Sequence, residues 1–383
     1  MSELTALLDF VEQQLGPPPI PLHAPCLEEA DAQAVAECVR SGFVSSVGAQ
    51  VAQFEQAVAA FTGASHAVAV VNGTAALMLA LKAAGVQPGD WVITQSLTFI
   101  ATANAIVHVG AEPLLLDVDD SLCLSVEALA AFLQQACDGP IHKATRRRIG
   151  AIVPMHTLGF MADMPRIVQL AAEHDIPVIE DAAEALGSRL QGRHAGTFGI
   201  AGILSFNGNK LITTGGGGMV LTQDDALAEQ ARHLATTAKQ SHPWHFVHDA
   251  VGYNLRLPNL NAALGLSQLQ KLPQLLQFKH TWHSTLAAKI SALKILGGPL
   301  LSNLQGEHQP NYWLQAVQLQ DRAARDRLLE MAAARQIQMR PLWTPLHQQP
   351  PYRRAPTFGT LQHTQTLFDT VICLPSSPRC DYG

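Results

Sequence analysis

Seven short apolar runs, HAVAVVN, DWVITQ, EPLLLDV, IGAIVPM, IPVIED, AGILSF and GMVLT, recur between residues 66 and 222. Helical segments such as TAALMLALKAAG and MPRIVQLAAEHD separate most of them. Strands that are apolar along their whole length are buried on both faces, and the intervening helices supply the cover. The pattern predicts an α/β domain on a mainly parallel sheet. In open sheets of this kind ligands bind beyond the carboxyl ends of the strands. The residues that follow each run are therefore the ones to read for chemistry.

The character changes after residue 254. NLNAALGLSQLQKLPQLLQ predicts a long helix, followed by strand-like YWLQAVQL, helical RAARDRLLEMAAARQ and proline-rich RPLWTPLHQQPPYRR. Together these suggest a smaller α+β domain. At the other end, MSELTALLDFVEQQLG reads as an amphipathic helix stopped by Gly16 and three prolines. The expected division is a helix and linker over 1–20, a large domain over 21–254 and a small domain over 255–383.

Composition removes several function classes. Hydrophobic residues make up 48% of the chain, enough for a sizeable core. No apolar run approaches the roughly 18 residues of a membrane helix. The acidic start lacks a basic leader, so the expected location is cytoplasmic. A net charge of −6 argues against nucleic-acid binding. Arg146-Arg147-Arg148, the one basic cluster, reads as a solvated loop before a strand. The six cysteines form no CxxC pair and are expected to be free thiols rather than disulfides or zinc ligands.

Three strand ends carry chemistry. HAVAVVN leads into Asn72-Gly73-Thr74 and a helix. A glycine turn at a helix N-terminus offers free N–H groups to a phosphate; an ordinary cap by Thr74 is the alternative. IPVIED ends in Asp181, with Glu184 beyond it. A carboxylate at a buried sheet mouth is costly unless paired. It can bind a metal, orient a base, pair with a protonated ring nitrogen or cap the next helix. AGILSF ends in Ser205, and SFNGNKLITTGGGG then places Lys210 before two threonines and four glycines. A lysine beside a phosphate site and an acid is economically read as the Schiff-base lysine for pyridoxal phosphate. Asp181 would then face the pyridinium nitrogen.

With those residues in place, the chain resembles the fold-type I pyridoxal-phosphate enzymes, and more narrowly the nucleotide-sugar aminotransferases of the DegT/DnrJ/EryC1/StrS family. FVSSVGAQVAQFE, NGTAAL, TFIATANAI, PMHTLG, IEDAAEALGS, SFNGNKLITTGGGG and VGYNLRLPNLNAALGLSQL carry the resemblance, from about Pro21 to about Pro375. It implies that Lys210 holds the cofactor and moves the proton at the amino donor, and that Asp181 pairs with the ring nitrogen. It implies Gly73, Thr74 and Ser205 at the phosphate, Phe99 stacked on the ring, and Glu184 near the ring hydroxyl and the lysine. Asn254 would reach the phosphate of a neighbouring subunit, making a homodimer with shared sites. Arg256 is either structural or near the substrate. His156 and Arg340 are candidate substrate contacts.

The resemblance further implies L-glutamate as donor and a 4-keto sugar on a nucleotide as acceptor. FVSSVG, TTGGGG, HDAVGYNLRLPN and RPLWTPLH are most similar to the branch acting on UDP-4-keto-6-deoxy-N-acetylglucosamine, which serves legionaminic acid and bacillosamine synthesis. A dTDP- or GDP-linked sugar is the alternative. Many relatives carry glutamate where this chain has Gly216. A dehydratase branch replaces the lysine by histidine, so Lys210 favours transamination. His242, His245 and His248 in HPWHFVH stand three apart, which on a helix approximates one face, but Pro243 disturbs the first turn and the resemblance implies a loop leading to the GYN motif; no metal-binding framework surrounds them, and no metal is expected.

Overall fold

The computed structural model describes residues 3–293 and 307–378. All seven apolar runs form strands: β1 His66–Val70, β2 Trp91–Gln95, β3 Glu112–Leu116, β4 Ile149–Val153, β5 Ile179–Asp181, β6 Ala201–Ser205 and β7 Gly218–Thr222. β2 lies between β3 and β4 in parallel register, and β5 is parallel to β6. Bridges Ile152–Val178 and Met155–Asp181 join β4 to β5. β7 runs antiparallel to both β6 and β1. The sheet order is β3-β2-β4-β5-β6-β7-β1, with β7 the one reversed strand.

That reversal is a departure from a uniformly parallel reading, and it has a local cause. A crossover to a parallel neighbour normally carries a helix. Residues 206–217 form turns and no helix, so the chain doubles back beside β6.

Successive side chains of each strand point to opposite faces, and both faces are buried. On β7, Val220 packs with Val68, Leu77 and Leu81 on one face, while Met219 and Leu221 join Phe54, Leu114 and Phe206 on the other. The helix Gly73–Ala83 covers the first face. The loop before β4 is tied down more than a solvated loop would be, since Arg148 grips Asp90 and Arg147 pairs with Glu112.

The predicted long helix runs from Asn259 to Leu293. Its first half belongs with the large domain: Gly265 lies so close to Phe54 that a Cβ would come within 2.7 Å of the ring. Its second half enters a separate core, where Trp282, Leu286 and Ile290 meet strands β8 Gln315–Gln318 and β10 Val371–Leu374. β9 Arg340–Pro341 completes that sheet in the order β8-β10-β9. The N-terminal helix Glu3–Leu15 is not an appendage. Leu7, Leu8 and Val11 are buried in the same core as Ile372 and Leu374. The packing therefore changes over within the long helix rather than at residue 254, and the first helix sits with the last strand.

Cys38, Cys123, Cys137 and Cys373 are buried free thiols. Cys26 departs from the expectation, being disulfide-bonded. Pairing depends on which segments folding brings together, and cysteine spacing does not encode that. Among the described residues no helix is long and apolar enough to cross a membrane.

Candidate active site

The carboxyl ends of β1, β5 and β6 open into one cavity of about 320 Å³. At the β1 end, Asn72 caps the helix, its side chain accepting the Ala75 N–H at 2.8 Å. Asn72 is therefore the cap, not Thr74. The N–H groups of Gly73 and Thr74, in the first turn, are left without intrahelical acceptors. Gly73 is required by a close approach: a Cβ there would stand 3.0 Å from that of Ser205. The turn after β1 and the end of β6 are thus pressed together, bringing Thr74 and Ser205 to the same end of the cavity.

Asp181 closes β5 and is 5% exposed. Thr102 donates to Oδ2 at 2.7 Å, and the Ala183 N–H donates to Oδ1 at 3.2 Å. Burial pushes its pKa up, and these hydrogen bonds and the charge of Lys210 only partly oppose that. Such a carboxylate gains from any positive group placed opposite it. Glu184 is also pushed up by burial. It accepts from the Leu158 N–H at 2.9 Å and from Lys210 Nζ at 3.3 Å. Leu158 has φ of 56°, a strained left-handed backbone at the edge of the site. The Lys210 amine lies 4.1 Å from the ring centroid of Trp313, so a carboxylate and an aromatic face hold it together.

The glycines behind the lysine are not equivalent. Gly215 has φ of 79°. A Cβ on Gly217 would come within 2.3 Å of the Thr214 hydroxyl, and one on Gly218 within 2.3 Å of the Asn72 carbonyl. These three glycines let β7 pass against the β1 turn. Gly216 differs, because its Cβ position meets nothing closer than the Val71 carbonyl at 3.8 Å. The backbone does not require glycine there.

The far wall comes from the C-terminal domain as Trp313 and Trp343, and Phe99 stands 6.0 Å from Trp343, ring to ring. Sequence reading passed over both tryptophans. Neither follows a strand of the main sheet, and only tertiary packing brings them to the cavity.

Several expected site residues lie elsewhere. His156 is fully buried and does not line the cavity, which corrects its reading as a substrate contact. Its Nδ1 accepts from the Ala162 N–H at 3.3 Å, leaving the Nε2 proton to Glu180 at 2.9 Å. Glu180 in turn accepts the N–H groups of Gly196 and Gly199, so the pair braces the strand that carries Asp181. Arg340 is exposed on β9 beside a groove with Pro19 and Leu329, away from the cavity. A short strand edge points it outward, which a sequence does not reveal. Asn254 and Arg256 are exposed and outside their own chain's cavity, bridged through backbone to Thr236 and Val70. HPWHFVH is not helical. It lies in an exposed hairpin in which His242 contacts His245 while His248 turns to the Thr237 carbonyl at 2.8 Å.

A lysine amine facing a buried acid across the mouth of a sheet with one reversed strand defines a class: the fold-type I pyridoxal-phosphate enzymes. Within that class, the model of the DegT/DnrJ/EryC1/StrS aminotransferase family matches residues 25–382, and the chain belongs to that family. It is 36% identical over 360 residues to a putative pyridoxal phosphate-dependent aminotransferase, EpsN, of Bacillus subtilis, covering 93% of this chain and 90% of that one. It is 36% identical over 346 residues to the GDP-perosamine synthase of Caulobacter vibrioides, covering 89% and 88%. Among solved structures it resembles PseC of Helicobacter pylori, an aminotransferase of pseudoaminic acid biosynthesis, with a TM-score of 0.84, 25% identity and 93% of each chain covered. The protein is a pyridoxal-phosphate-dependent sugar aminotransferase.

Proposed function

We propose that this enzyme transfers the amino group of L-glutamate to the 4-keto carbon of a 6-deoxy sugar carried on a nucleotide, with UDP-4-keto-6-deoxy-N-acetylglucosamine as acceptor. The observation that carries the reading is the meeting of Lys210, Asp181 and the Gly73-Thr74 helix terminus in one cavity. Pyridoxal phosphate fits these residues. The raised Asp181 needs a positive partner, and the Gly73 cradle leaves N–H groups and hydroxyls for a phosphate. When bound, the cofactor supplies an electron sink. The chain does the rest. Thr74, Ser205 and the helix terminus hold the phosphate. Asp181 holds the proton on the ring nitrogen. In the donor half Lys210 Nζ would take a proton from the α-carbon of glutamate, which leaves as its 2-oxo acid, and in the acceptor half it would deliver a proton to the sugar carbon, while Glu184 would keep the amine in place. Phe99 bounds the cofactor's face.

We further propose a cytoplasmic homodimer whose partner subunit supplies Asn254 to the cavity. Asn254 lies exposed outside its own chain's site, and Phe43, Val47, Trp244 and Phe246 expose large apolar surfaces. A two-fold pairing covers such surfaces and completes both sites at once.

A GDP-linked acceptor is the rival, given the perosamine synthases among the relatives. Offering UDP-, dTDP- and GDP-linked 4-keto sugars side by side with glutamate decides between them. The highest kcat/KM is expected for the UDP sugar, giving an equatorial amine by NMR. A preference for another nucleotide replaces the acceptor, and turnover of none of them removes the sugar-nucleotide reading. Mixing inactive Lys210→Ala and Asn254→Ala chains tests the shared site, since activity should reappear in mixed dimers.

A further inference from the structure

Trp313 and Trp343 form the cavity wall opposite the strand ends. Trp313 is fixed from three directions. Its indole N–H donates to the Asn209 carbonyl at 2.8 Å, its backbone N–H to Asn311 Oδ1 at 2.8 Å, and its carbonyl accepts from Lys279 Nζ at 2.9 Å. Asn311 also donates to the carbonyls of Glu184 and Leu186, at 2.8 and 2.9 Å, so the tryptophan and the lysine's carboxylate share one brace. Lys279 is fully buried, and its bonded partners among the described residues are the carbonyls of Trp313 and Ser376. Burial holds its pKa well below the usual lysine range. Lys279 locks two chain segments onto the long helix. A side chain held in this way does not swing aside for a substrate.

The indole ring also lies 4.1 Å from Lys210 Nζ. A lysine that moves a proton at a substrate carbon must bring Nζ within about 3–3.5 Å of it. The reacting carbon and its neighbours therefore pack near the Trp313 ring. The one polar atom of that indole is already bonded to Asn209. The ring offers a neighbouring substituent carbon and π surface only. A methyl group gains contact there, whereas a hydroxyl gives up water without a replacement partner.

We propose that Trp313 determines substrate specificity by selecting a methyl over a hydroxymethyl group on the carbon next to the reacting carbonyl, and that Lys279 is the positioning residue that holds it. This rests on the sugar-nucleotide reading above and deepens it.

The test uses the stable products in the reverse direction: the nucleotide-linked 4-amino-4,6-dideoxy sugar and its counterpart that keeps the 6-hydroxyl. Wild type should favour the deoxy compound by about tenfold or more in the half-reaction, read from the cofactor's absorption. The same ordering should appear as a difference in Kd, measured by calorimetry on the cofactor-free chain. Trp313→Gln should bring both preferences close to unity and Trp313→Phe should keep them, each read as the ratio of the two sugars within one variant, so that any loss through Lys210 common to both sugars cancels. Lys279→Met should raise KM for the deoxy sugar and leave cofactor uptake unchanged. If that variant fails to fold, Asn311→Ser gives the same readout. An unchanged preference in Trp313→Gln overturns the proposal and leaves the enzyme's function standing. Reaction of wild type with neither sugar overturns the sugar-nucleotide reading and this inference together.

Discussion

On the sheet side of the cavity, Gly73, Thr74, Asp181, Ser205 and Lys210 all lie within a few residues of a strand end. On the opposite side, Trp313 and Trp343 come from a different domain, and Trp313 is held by Asn209, Lys279 and Asn311. Both walls include a lysine withdrawn from water, but the two are used differently. Lys210 faces a carboxylate, a ring and the cavity, where its amine can react. Lys279 meets two backbone carbonyls and is closed off from the cavity. Burial alone therefore does not mark a functional lysine; what its amine can reach does. Chemistry sits on the wall set by short turns, and shape selection on the wall set by assembly.

The largest test of that contrast is Lys210→Ala. Turnover should fall by about a thousandfold or more, and borohydride should no longer fix the cofactor to the chain. Fixation at another lysine in the variant would move the chemistry off the sheet wall. Asp181→Asn comes next. On the proposed reading it would remove the charge that faces the ring nitrogen while keeping the shape, so proton transfer should slow by about a hundredfold with sugar-nucleotide binding nearly unchanged. Near-normal single-turnover rates would break the assignment.

A smaller effect concerns acid stability. Burial lowers the pKa of His194 from 6.5 to about 4, and its Nε2 accepts the Gly187 N–H at 2.7 Å. The unfolded chain then binds more protons than the native one between those values. The contribution is fully present above pH 6.5 and is lost as pH falls through about 4. It amounts to on the order of 3 kcal/mol. Urea unfolding at stepped pH should show the loss, and His194→Gln should flatten the profile over this window.

The smallest test separates the glycines. Gly218→Ala forces a Cβ against the Asn72 carbonyl and should cost about 1–3 kcal/mol. Gly216→Ala makes only an ordinary contact with the Val71 carbonyl, at 3.8 Å, and should stay within roughly 0.5 kcal/mol of wild type. Equal costs by thermal unfolding would mean that this turn is not shaped by close packing.

The same contrast explains what the sequence made legible. The seven strands were readable because strands buried on both faces are apolar throughout. Lys210, Asp181 and the Gly73 turn were readable because the chemistry sits where those strands stop. The reversal of β7 was hidden in a turn-rich segment whose length left the direction open. His156 follows a strand as a ligand-contacting residue would, yet its ring points back to Glu180. Trp313 carries no local mark at all, because its place depends on Asn209 and Lys279, which lie 104 and 34 residues away in the sequence.

The first helix bears on how the chain is made. Its apolar face packs against the long helix, where Phe10 stacks on Trp282, and against the helix Arg322–Ala334, in a core that also holds Ile372 and Leu374. During synthesis that face leaves the ribosome early and must wait while the whole main sheet and the long helix emerge. Domains generally fold as units in order of synthesis. The main sheet can thus close while Leu7, Leu8 and Val11 are still uncovered. A nascent chain stalled before residue 259 should therefore carry a folded sheet and an exposed, chaperone-accessible N-terminal helix.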